Sequence, residues 1–166
     1  MEVKMKYFKF IIITILILSL QGCMFDNPRY LNFKSKPNDY YYSSLIYKNL
    51  KINEPFTLKV FDTDFYKYYT VDEEDKDILL NFFESLNNDN YLTDLETTDK
   101  AKYELCIEFA HEKFIINVYD TSSITLYPWD GNFEEDKISM KGVSTYNNLY
   151  SFCSYIVNKS HQRDNN

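Results

Sequence analysis

Apolar and polar positions follow three different rhythms along this chain. The first is a block: Phe10 to Leu20 is apolar except for Thr14 and Ser19, and Lys4, Lys6 and Lys9 precede it. Eleven residues rise about 16 Å as a helix, well short of a ~30 Å hydrocarbon core. The block therefore predicts a cleaved signal peptide over 1–22 and not a permanent span. The second rhythm has a period of two. Phe56, Leu58 and Val60 alternate with Thr57, Lys59 and Phe61, and Asp62-Thr63-Asp64 then predicts a turn into a second strand over 65–69. Tyr103, Leu105, Ile107 and Phe109 share one face of a further strand, with Glu104, Cys106 and Glu108 on the other. His111 and Glu112 fall at a hairpin tip before Phe114, Ile116 and Val118 resume the alternation. Ile124 and Leu126 mark a third strand of this run, and Ile138–Met140 a fourth.

The third rhythm is helical. Ile78, Leu79, Phe82, Phe83 and Leu86 form a stripe over 72–87, with Thr70 or Asp72 as the expected cap and Glu73, Glu74 and Asp75 favourably placed at the N-terminal dipole. Asn87-Asn88-Asp89-Asn90 ends it. Tyr146, Leu149, Tyr150, Cys153, Ile156 and Val157 predict a last helix capped by Ser144, and Asp39 is placed to cap a short helix over 40–50. The order predicts an α+β fold, an antiparallel sheet of about four to six strands with two or three helices packed on it. The expected layout is a signal peptide over 1–22, a tether over 23–39, one domain over 40–159 and a frayed polar tail over 160–166.

The apolar block ends in Leu20-Gln21-Gly22-Cys23, which resembles the lipobox of bacterial lipoproteins, with Gln21 at a tolerant position. That resemblance implies a diacylglyceryl group on the Cys23 thiol, fatty acyl (palmitate-type) chains and cleavage before Cys23. Two acyl chains give stable membrane anchoring at about 0.8 kcal/mol per buried CH₂. Residues 24–39 contain two of the four prolines and no sustained period, and they would wander roughly 20–25 Å as a flexible coil.

Composition changes this picture in two ways. The chain has 16 tyrosines and 13 phenylalanines against three glycines, a bias that AT-rich codons supply without any selection for a binding surface. The formal charge is −7, and removal of the basic leader leaves −9, which argues against nucleic-acid partners. The AT-rich bias and Met24 after the cysteine favour the outer face of a Gram-positive cell membrane as the address. Cys106 and Cys153 fall on opposite sides of the predicted sheet and are read as two separate thiols, although a disulfide is permitted outside the cytoplasm.

The most chemically loaded stretch is the loop 127–136. Asp130, Asn132, Glu134 and Asp136 alternate oxygen ligands as a calcium loop does, but the glycine and the distal bidentate glutamate are out of register. Trp129 with Tyr127 and Phe133 could instead form an aromatic platform for a sugar ring. The plainest reading is an Asp-Gly turn with one aromatic tucked beneath it and a solvated acidic rim. No cofactor or metal is expected. A glycosidase needs two carboxylates across a groove, for which Asp130 and Glu134 are the candidates. No nucleophile motif, phosphate-cradling glycine loop or CxxC occurs, His111 reads as a turn residue, and His161 lies in the tail.

The runs INVYD (116–120), ITLYPWDGN (124–132), EEDKISM (134–140) and the segment 145–153 resemble small clostridial-type lipoproteins of unknown function. The resemblance implies a surface lipoprotein and assigns no catalytic residue. The expected role is a non-catalytic binding module at the cell envelope, anchored to the membrane through Cys23. Tyr127, Trp129, Asp130, Asn132 and Glu134 are its contact surface toward an envelope protein or glycan. The alternatives are a wall-glycan binder or hydrolase using the same loop, and an accessory subunit of a membrane complex.

Overall fold

A computed structural model describes residues 35–95, 100–129 and 131–164. The leader, Cys23 and Asp130 lie outside them. Within these residues the elements are α1 (Tyr41–Lys51), β1 (Thr57–Asp62), β2 (Lys67–Thr70), α2 (Asp77–Ser85), β3 (Tyr91–Leu92), β4 (Tyr103–Glu108), β5 (Lys113–Val118), β6 (Ser123–Pro128), β7 (Asp136–Ser139) and α3 (Leu149–Asp164). The strands form one sheet in the order β2-β1-β4-β5-β6-β7-β3, every pair antiparallel. The protein is thus α+β with seven strands, one more than the alternation patterns predict at their upper limit.

Alternation decides which sheet face is buried. Val60 pairs with Leu105, Leu105 with Ile116, Ile116 with Leu126, and all four belong to the core with Leu58, Ile107, Val118, Ile124 and Ile138. Against this face lie Ile46 of α1, Leu79 and Phe82 of α2, and Cys153 and Ile156 of α3. The opposite face carries Lys59, Cys106, Ile115 and Tyr127 across four paired strands, none of them in that core cluster. Cys106 and Cys153 are free and lie on opposite sides of the sheet. Burial raises both thiol pKa values, and the Glu104 charge adds to the effect at Cys106.

Several local expectations are corrected. The 72–87 stripe divides into a 3₁₀ turn, Glu73–Asp75, and the shorter α2, which has no side-chain cap. Asp72 does not cap it. Its carboxylate instead meets Lys159 Nζ at 3.0 Å and Arg163 at 2.8 Å, both from α3. Asp39 does not cap α1 either, while Asn38 Oδ1 accepts from the Tyr40 amide at 3.2 Å. The cap of α3 is Asn148, not Ser144: its Oδ1 accepts from the amides of Tyr150 and Ser151, and its Nδ2 donates to Thr121 O at 2.8 Å. Tyr146 therefore stands outside the helix, 92% exposed.

Contacts with the core reach beyond residues 40–159 on both sides. Helix α3 continues through 160–164, the stretch expected to fray, because Lys159 and Arg163 bind the acidic 72–75 turn. At the other end the compact unit begins at Lys36, within the expected tether. Lys36 Nζ lies 2.6 Å from Asp136 Oδ1 and donates to Glu135 O at 3.0 Å. Strand β3 is the element that periodicity misses. It is held by Asn90, whose Nδ2 donates to Ser139 O at 2.8 Å from a turn capped by Asn87.

Candidate functional site

The loop between β6 and β7 is shaped by three contacts. Trp129 N donates to Lys113 O at 2.8 Å, which continues the β5–β6 ladder one residue past Pro128. Tyr42 Oη then grips the loop from α1, donating to Phe133 O at 3.2 Å and accepting from Phe133 N at 2.9 Å. Gly131 fits between them. A Cβ there would stand 2.6 Å from Pro128 Cγ and 2.8 Å from Tyr42 Oη, so only glycine permits this approach.

The loop ends on Asp136, which is fully buried at the start of β7. Its Oδ2 accepts from both the amide and the hydroxyl of Ser43 at 2.7 Å, and its Oδ1 faces Lys36. This carboxylate is therefore structural. Of the described oxygens in the calcium reading, those of Asn132 and Glu134 are exposed while Asp136 points inward. Tyr91 lies near this buried charge. Its pKa is pushed up to about 12, chiefly by burial and further by Asp136.

Trp129, by contrast, is 63% exposed, with Lys113 Nζ 4.9 Å from its ring centroid. Tyr127 is half-buried on the outer sheet face opposite Ile115, and burial and the Glu104 charge raise its pKa. Phe133 is the aromatic tucked beneath the loop, edge-on to Tyr41 at 5.3 Å. Of the predicted contact residues, the structure thus gathers Trp129, Asn132 and Glu134 on one exposed loop, turns Tyr127 onto the sheet, and leaves Asp130 outside the described residues.

Beside the loop is a shallow cleft of about 280 Å³, walled by Tyr41 and Phe133 and edged by Asn132, His111, Glu112 and Lys113. The β4–β5 hairpin delivers His111 and Glu112 there because Phe114 pairs with Pro128, which sets the hairpin tip beside the loop. Asn49 Nδ2 donates to Glu112 Oε2 at 3.0 Å and fixes that carboxylate. The alternation of β4 and β5 was sufficient to bring His111 to this end of the sheet, whereas no periodic signal placed Tyr41 and Tyr42 there. Such a cleft offers flat apolar ring surface with amide, imidazole and carboxylate groups at its edge, a combination that suits polar ligands with one apolar face.

A second carboxylate group lies on the far side of the core. One oxygen each from Asp72, Glu74 and Asp75 lies within 4.8 Å of the others. Lys159 Nζ pairs with all three at 2.7–3.2 Å, and Arg163 adds a second positive charge at Asp72. Hydrogen bonds from Arg163 and then Lys159 hold the Asp72 pKa down to about 2.

Residues 36–153 match the family model of a domain of unknown function, DUF4883. The chain belongs to the DUF4883 family. Its structure is also similar to the crystal structure of a candidate lipoprotein from Clostridium perfringens, with a TM-score of 0.68 and 28% identity over 75% of this chain and 99% of that one. No curated protein matches the chain. These findings bear out the resemblance to clostridial-type lipoproteins of unknown function. The DUF4883 match starts at Lys36, the residue that locks onto Asp136, and includes the whole YPWDGN segment.

Proposed function

We propose that this DUF4883 protein is a lipoprotein of the extracytoplasmic face of a Gram-positive cell membrane, matured by loss of residues 1–22 and held by acyl chains on Cys23. Its single α+β domain then acts as a non-catalytic binding module at the cell envelope. Trp129, Asn132, Glu134 and the neighbouring cleft are its contact surface toward an envelope protein or glycan. The observation that carries this reading is the exposure of Trp129 on a loop immobilised from below. Exposed aromatic anchors on rigid supports concentrate binding energy, because little conformational freedom is lost on contact. The anchor reading is supported by Leu20-Gln21-Gly22-Cys23 and by the similarity to the Clostridium perfringens candidate lipoprotein.

Two measurements test it. Mass spectrometry of the mature N-terminus should find a diacylated Cys23, and an unmodified thiol there overturns the anchor. Capture from envelope extracts should lose partners when Trp129→Ala replaces the natural chain, and identical partner profiles overturn the role of the loop. A glycan-directed reading is favoured by the cleft itself, where the Tyr41 and Phe133 rings lie beside Asn132, His111 and Glu112. It predicts that soluble wall-glycan fragments perturb Trp129 fluorescence. Hydrolysis by Asp130 and Glu134 would in addition release reducing ends, and Glu134→Gln should abolish that release.

A further inference from the structure

The first residue of the compact unit, Lys36, plugs directly into the candidate site. Pro37, Asp39 and Tyr40 beside it are exposed, whereas the Lys36 side chain turns inward. Its Nζ stands 2.6 Å from Asp136 Oδ1, donates to Glu135 O at 3.0 Å and to Asp39 O at 3.4 Å, and lies 5.8 Å from the Tyr42 ring centroid. From the start of α1, Tyr42 Oη bonds the backbone N and O of Phe133, and the Ser43 amide and hydroxyl donate to Asp136 Oδ2. Tyr40 adds a ring contact to Tyr91 at 5.5 Å. Lys36 thus closes a clasp in which α1 grips both ends of the segment 133–136.

Asp136 is the release point of this clasp. Its carboxylate is fully buried, and a buried charge that loses its counter-ion is driven toward water. Lys137 and Ile138 next to it are paired with both β6 and β3 and form a fixed hinge. Once Lys36 leaves, Asp136 therefore reaches water by swinging residues 131–136 away from α1. Phe133 moves with them, and Phe133 is one wall of the cleft. A small unit held by a few hydrogen bonds opens in this way without unfolding the rest of a domain. We propose that Lys36 is a latch that controls the cleft: seated, it keeps residues 131–136 closed on α1, and withdrawn, it lets them open.

The latch rests on the reading given above for the anchor at Cys23 and for the cleft as a contact surface. A pull on Cys23 arrives first at Lys36, because that residue begins the compact unit. Such a pull arises when the membrane and an envelope partner held in the cleft move apart. Lys36 is then drawn from Asp136, Phe133 is freed from Tyr42, and the partner is released under load.

Hydrogen exchange of the full chain, read by mass spectrometry, tests the latch. The amides of Phe133 and Ser43 report it, since one donates to Tyr42 Oη and the other to Asp136 Oδ2. In Lys36→Met both should exchange at least about tenfold faster, while the β4 and β5 amides keep their protection. Lys36→Arg, which retains the charge, should restore most of the slow exchange. Unchanged exchange in Lys36→Met, or a rise spread equally over β4 and β5, overturns the proposal. So does an equal opening of the same amides in Asp72→Asn, which loses ion pairs on the far side of the core. Load is tested in optical tweezers with handles at residues 23 and 166. Before unfolding, the natural chain should lengthen reversibly by at most about 18 Å, the extended span of residues 36–40, and Lys36→Met should lack that step. A natural chain that unfolds without it overturns control by load. Neither measurement needs a bound partner or a lipid. An unmodified Cys23, or unaltered capture by Trp129→Ala, would thus sink the proposed function while the opening of the loop stood as measured.

Discussion

Replacing Asp136 by alanine should be among the most damaging single changes available in this domain. Three donors depend on that carboxylate: the Ser43 amide and hydroxyl, each at 2.7 Å, and Lys36 Nζ at 2.6 Å. Ser43 is buried, so its two donors would be left without a partner, at about 1–3 kcal/mol each. Losing one member of a buried ion pair costs about 3–5 kcal/mol in other proteins. The Lys36 side chain is 16% exposed and can turn partly toward water, which places the expected cost near the lower end, about 3 kcal/mol. In a domain of this size that lowers Tm by roughly 10–15 °C and the urea midpoint by about 1.5–2 M. Urea titration followed by circular dichroism, with Lys36→Met and the double variant, measures it. Lys36→Met alone should cost less, and adding it to Asp136→Ala should cost almost nothing more, giving a coupling of at least about 1 kcal/mol. A loss below about 1 kcal/mol for Asp136→Ala, or simple additivity of the two changes, would refute the claim that this buried pair fastens the N-terminal segment and the loop to the core.

Three further outcomes are expected. Gly131→Ala should destabilise the domain by about 1–3 kcal/mol through collision with Pro128 and Tyr42, seen as a lower Tm; an unchanged Tm would mean that the loop relaxes freely. Asp72 has a pKa depressed from the usual 3.8 to about 2, so it stabilises the folded state fully above about pH 4, and that contribution disappears as the pH falls toward 2. The Tm difference between the natural chain and Asp72→Asn should accordingly shrink across that interval, and a difference that persists at pH 2 would contradict the ion-pair account. In native protein near neutral pH, thiol labelling mapped by mass spectrometry should reach Cys106 before Cys153, because both thiols are held up but only Cys153 is fully enclosed. The reverse order would refute the placement of α3.

Legibility in the sequence followed the range of the interactions involved. Strands β4 and β5 were readable because Tyr103–Phe109 and Phe114–Val118 alternate strictly, and α2 because Leu79, Phe82 and Phe83 recur at helical spacing. Strand β3 was not, since two residues carry no period and its attachment through Asn90 to Ser139 crosses 49 positions. The polar end of α3 looked like a tail because its stabilising partners, Asp72, Glu74 and Asp75, lie more than eighty residues earlier. At the candidate site, the Asp-Gly turn and Trp129 marked the loop, and alternation placed His111 at a hairpin tip without relating it to that loop. Nothing local showed that Tyr42 would hold Phe133 from 91 positions away, or that Asp136 would be spent on Ser43 and not offered to a cation.

The sole tryptophan stands in water on a loop instead of in the interior. Its emission will therefore change little when the domain melts, and the tightly packed tyrosines and phenylalanines are the better gauges of global unfolding. The same placement makes the indole a built-in probe of the β6–β7 loop: whatever settles there changes its surroundings directly, in a signal that stays largely separate from loss of the native state.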